Sequence, residues 1–115
     1  MLSPEQTDIL ETAPKTFLRS RYMVASDALP KTMRYLEKVQ NTEEPQIKVT
    51  RNPDGGIKII VSSQYKTELG ALITETCFQH NITINDAETH TFKTDTPLAI
   101  LFLEAAFNTP NMTPS

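Results

Sequence analysis

The chain has a single cysteine, only three glycines and no long apolar run among its 115 residues. Each lack excludes something. A lone thiol, Cys77, cannot build an internal disulfide framework, so a reducing compartment, the cytoplasm, is the expectation. A membrane span needs about 20 apolar residues in a row, and no stretch approaches that. Leu2-Ser3-Pro4-Glu5-Gln6 lacks the basic-then-apolar order of a secretory signal. A charge excess of one sign is missing too. Residues 1–40 hold six basic and five acidic side chains, residues 46–95 hold five and six, and the formal net charge is -3. Neither nucleic acid nor a membrane surface is therefore an expected partner.

Catalytic signatures are equally scarce. Asp54-Gly55-Gly56 is not followed by the Lys-Ser/Thr pair of a phosphate loop, and it reads as a turn between strands. Cys77 and His80 share a metal-ligand spacing, with His90 and Asp86 as the remaining candidates, but a structural zinc site wants four aligned ligands. No metal or other cofactor is expected. As a nucleophile, Cys77 would fall near a helix C-terminus, where the dipole disfavours a thiolate. The expectation is a protein that is not an enzyme.

What is present is clear periodicity. Ser3-Pro4-Glu5-Gln6 is a helix start with a capping-box pattern, and that helix ends before Pro14. Thr16 is placed to cap a second stretch carrying Phe17, Leu18, Tyr22, Val24 and Ala25 on one side. An amphipathic helix then runs to about Gln40, with Leu29, Met33, Tyr35, Leu36 and Val39 as its stripe. After the linker Asn41-Thr42-Glu43-Glu44-Pro45 the period drops to two. Ile47 and Val49, then Ile57, Ile59 and Val61, flank Asn52-Pro53-Asp54-Gly55-Gly56, a β-hairpin. Ser62-Ser63 reads as the cap of a helix from Gln64 to His80, stopped by Asn81. Two short strands follow, Ile82-Thr83-Ile84 and Thr89 to Lys93, around a turn at Asn85-Asp86-Ala87-Glu88. Asp95-Thr96-Pro97 reads as the start of a last helix, Leu98 to Phe107.

The order predicts an α+β fold: N-terminal helices over residues 1–40, then a ββαββα unit over 46–108. Its four-stranded antiparallel sheet has helices packed on one face. Residues 1–115 form one domain by length, with a loose tail at 109–115.

The segment Leu98-Ala99-Ile100-Leu101-Phe102-Leu103-Glu104-Ala105-Ala106-Phe107 carries the functional expectation. As a helix it would need cover on two sides. If the sheet takes Leu98, Leu101 and Phe102, then Ile100, Leu103 and Phe107 remain, joined by Phe78 and Ile60, each on the polar side of its own element. An apolar surplus of this kind marks a binding surface. The chain thus reads as a protein–protein interaction module, a small adaptor or inhibitor that docks on another protein or on a second copy of itself. Ile60, Phe78, Ile100, Leu103 and Phe107 would anchor the partner, and Arg19, Arg21 and Arg34 would form a charged rim. Two alternatives stand beside it. One is a small-molecule or enzymatic pocket near Cys77, His80, His90 and Asp86. The weaker one is nucleic-acid binding on the exposed sheet face through Lys48, Thr50, Lys58 and Lys93.

Overall fold

Capping decides where the chain first becomes helical. The Gln6 backbone N–H donates to Ser3 Oγ, and the Ser3 N–H donates to Gln6 Oε1, both at 3.1 Å. The box opens α1, Pro4–Glu11, in a computed structural model that describes residues 2–65 and 68–107. α2, Lys15–Leu18, is a single turn, and a 3₁₀ turn, Arg21–Met23, follows it. The one-sided stripe expected over this stretch does not form. The chain breaks at Ser20, whose Oγ caps the 3₁₀ turn, so Phe17 is buried while Leu18 and Val24 face solvent. α3, Ala28–Thr42, is the expected amphipathic helix. It buries Thr32, Met33, Leu36 and Val39 and stops where Glu43 adopts φ 61°.

The hairpin forms as its pattern predicts, from β1, Gln46–Arg51, and β2, Ile57–Gln64. Its turn is closed by Asn52 N–H to Gly56 O at 2.8 Å and Gly55 N–H to Asn52 O at 3.0 Å. Gly55 sits at φ 92°, where a side chain would be strained. Ser62 and Ser63 belong to β2 rather than to a cap, so α4 starts later than expected and spans Leu69–Gln79. Asn81, at φ 57°, then turns the chain into the next strand.

The last third differs most from the sequence reading. β3 is one strand, Ile82–Phe92, because the expected turn at Asn85–Glu88 is a bulge between Ile84 and Asp86. Leu98–Phe107, expected to be a helix, is a strand, β4. It lies in the sheet interior, in the order β1-β2-β4-β3, with every neighbouring pair antiparallel. A strand buried on both faces reads as an unbroken apolar run without alternation. The fold is the expected α+β class with a four-stranded antiparallel sheet, but its last element is a strand.

Register assigns the two faces. Ile60 opposes Phe102, and Ile100 opposes both Ser62 and His90 on the face that carries α1, α2 and α3. There Ile9, Phe17, Met33, Leu36 and Val39 pack with Phe92, Leu98, Ile100 and Phe102 in one core. The other face presents Ile47 beside Val61, and Val49 and Leu103 on either side of Ile59. α4 links β2 to β3 and shares no part of that core. Among the described residues no helix is long and apolar enough to cross a membrane. The tail expected at 109–115 lies outside the described residues.

Candidate functional site

The structure scatters the expected anchor residues. Ile60 packs against the core beneath the helices, and Ile100 is fully enclosed within it. Leu103 is buried on the opposite face of β4. Ile100 and Leu103 correct the expectation of a bare helix: a central strand hides both of its sides, so neither can meet a partner without unfolding, while Ile60 of β2 is half-buried against the core. Phe78 and Phe107 do reach solvent, with 82% and 41% of their surface exposed.

Other apolar groups join them. α4 buries only Cys77, and Leu72 is 61% exposed on its surface. At the far edge of the sheet, Ile47 and Val49 of β1 are 67% and 57% exposed. Their period-2 spacing in the sequence marks a strand but not a surface. The missing signal was strand order, which leaves β1 at an edge of the sheet, paired only with β2 among the described residues.

The arginines do not rim this apolar ground. Arg21 Nη2 lies 2.7 Å from both Asp86 Oδ2 and Glu104 Oε1. Asp86 and Glu104 face each other directly across β3 and β4, a repulsive pairing that the guanidinium offsets. Tyr22 completes the cluster. Its hydroxyl reaches Asp86 at 3.0 Å and Glu104 at 3.1 Å, and its ring stacks on Phe102 with centroids 4.8 Å apart. Burial pushes the Tyr22 hydroxyl well above its ordinary value, while Tyr22 and Arg21 together hold Asp86 below the usual carboxylate range. This arrangement ties the 3₁₀ turn to the sheet. Arg19 lines a groove between α2 and β3, and Arg34 lines another beside α3.

The pocket expected around Cys77, His80, His90 and Asp86 is not assembled. His90 is buried under α2, where Thr16 Oγ1 is 3.2 Å from Nδ1 and Glu88 Oε1 is 3.0 Å from Nε2. Ser20 Oγ also donates to Glu88 Oε1, at 2.7 Å. This hydrogen bond first, then His90, holds the Glu88 carboxyl below its ordinary range. The adjoining open groove of about 500 Å³ is lined by Thr16, Arg19, Ser20, Arg21, Glu88, Thr89 and His90, without Cys77 or His80. Cys77 is enclosed in α4, and its burial pushes the thiol up, against nucleophilic use. Among the described residues no group of three His, Cys, Asp or Glu side chains is placed to hold a metal.

The nucleic-acid alternative meets a register problem. Lys48 and Thr50 pair with Ile60 and Lys58, which puts these polar residues on the helix side of the sheet. The face they were expected to cover carries Ile47, Val49, Ile57 and Ile59 instead. No protein-family model matches this chain, and no curated protein matches it. The functional reading therefore rests on its geometry.

Proposed function

We propose that this chain is a protein–protein interaction module, an adaptor or inhibitor-type domain that docks through apolar side chains left outside its own core. The observation that supports this reading is α4. Eleven residues, Leu69–Gln79, bury a single side chain, Cys77, while Leu72 and Phe78 stand in water. Leu69 and Ile73, two turns and one turn before Cys77, are half-buried, so the helix packs one stripe on its own protomer and leaves Leu72 and Phe78 outside it. A partner surface that takes up Phe78 and Leu72 would bury roughly 1.5–3 kcal/mol worth of apolar surface per side chain.

The test is a photo-crosslinking amino acid placed at position 78, with a control at Lys58 on the helix side of the sheet. The reading expects discrete adducts from position 78, either with a second copy or with another protein, and none from position 58. Phe78→Asp should leave the unfolding midpoint unchanged. Absence of discrete adducts at position 78, or collapse of the fold in Phe78→Asp, would overturn it.

A further inference from the structure

The outer edge of β1 offers a second surface, one whose chemistry specifies its occupant. β1 pairs only with β2, so its other backbone edge has no strand against it among the described residues. On the helix side, a groove of about 370 Å³ lies between α3 and the start of β1, lined by Lys31, Arg34, Tyr35, Lys38 and Gln46. Lys31, Arg34 and Lys38 follow one another at helical spacing on α3, and no carboxylate lines the groove. Asp27 takes Lys31 in an ion pair at 2.8 Å. Arg34 and Lys38 have no ion pair or side-chain hydrogen bond among the described residues. Lys48 lies two residues beyond Gln46, on the same sheet face. The opposite side of the same strand carries the exposed Ile47 and Val49.

We infer that β1 accepts an extended segment of a partner protein, about as long as β1 itself, in which acidic and apolar residues alternate. Strand addition supplies main-chain hydrogen bonds, and alternate side chains then read opposite faces. Acidic residues of the incoming strand fall on the side of Arg34, Lys38 and Lys48. Apolar residues fall beside Ile47 and Val49. A second copy is a poor occupant, because Gln46–Arg51 carries two cations and no acid, so β1 against β1 brings like charges together. Pro45, just before the strand, also lacks the N–H that continued pairing would use. The inference rests on reading the chain as an interaction module, but it uses the β1 edge and the cations of α3 rather than Phe78.

A titration with defined peptides tests it. The probe is a labelled peptide of alternating Glu and Val; the controls are the same composition with its Glu residues in one block, and an alternating Lys and Val peptide. Saturable binding of the first peptide alone is expected, with NMR perturbations at Gln46–Arg51 and on Arg34 and Lys38. Arg34→Glu combined with Lys38→Glu should weaken it by about tenfold or more, as like charges come to face the ligand. The same variant should bind the alternating Lys peptide. Unfolding midpoints confirm that both substitutions, on an exposed helix surface, leave the fold intact. Equal binding of the blocked peptide, equal competition by a single-stranded oligonucleotide, or perturbations confined to residues outside β1 and α3 would overturn the inference. If the peptides fail to bind while position 78 still forms discrete adducts, the strand-edge inference falls alone.

Discussion

At the scale of single residues, two buried polar groups, Ser20 and His90, fasten the N-terminal turns to β3. Ser20 illustrates the economy: its Oγ caps the 3₁₀ turn through Tyr22 N–H and donates to Glu88 across the chain. Glu88 is thereby held below its ordinary value of 4.5. A depressed folded-state pKa means the unfolded chain binds the proton more readily. The stabilisation is complete above about pH 4.5, and it drains away as pH falls through the lower folded value. Glu88→Gln removes the titrating group, so its deficit against the native protein should be largest near neutral pH, at about 1.5 kcal/mol for a hydrogen bond to a charged group. That deficit should shrink below pH 4.5, as read from urea midpoints across a pH series. A deficit that stays constant with pH would show that Glu88 does not carry the effect. Ser62 is the counterexample in the same core: its Oγ is buried and has no hydrogen-bond partner among the described residues.

At the scale of elements, legibility followed the number of buried faces. α1 and α3 each bury one side and show a period of 3.6, and β1 and β2 keep apolar residues at a period of 2 although β1 itself stays exposed. β4 buries both, and nothing alternates in Leu98–Phe107 except the lone Glu104 near its end. Leu and Ala supply most of that segment and favour helix by intrinsic propensity, so local preference pointed the wrong way and sheet context overrode it. The same override moves the candidate site, because Ile100 and Leu103 lack cover only in a helix and are buried in a central strand. Phe78 is unaffected, since its exposure depends on α4 alone. The strand placement makes a quantitative distinction. Phe102, fully buried at the centre of the sheet, should cost about 3–5 kcal/mol on substitution by Ala. Phe107, at the open end of the same strand, should cost about 1 kcal/mol or less as Phe107→Ala. Chemical denaturation of the two variants measures the difference, and equal losses would contradict the strand.

At the scale of the whole molecule, stability is distributed unevenly across the sheet's two sides. One side has a continuous core with three helices laid over it, and α3 alone contributes Met33, Leu36 and Val39 to that core. On α4 the equivalent contribution is Cys77. Local opening free energy follows buried apolar contact, so α4 belongs at the low end and α3 near the global value. Native-state hydrogen exchange should therefore find the amides of Leu72–Phe78 exchanging faster than those of Met33–Val39, by about tenfold for each 1.4 kcal/mol of difference in opening free energy. Alkylation of Cys77 should follow the same opening, because the thiol is enclosed while the helix is docked and its burial disfavours the thiolate. Occupation of Phe78 and Leu72 by a partner would slow both processes together while leaving α3 unchanged, which separates docking on α4 from a general gain in stability. Exchange in α4 as slow as in α3, in the isolated protein, would mean that this helix is already covered, and the docking surface would have to be sought elsewhere.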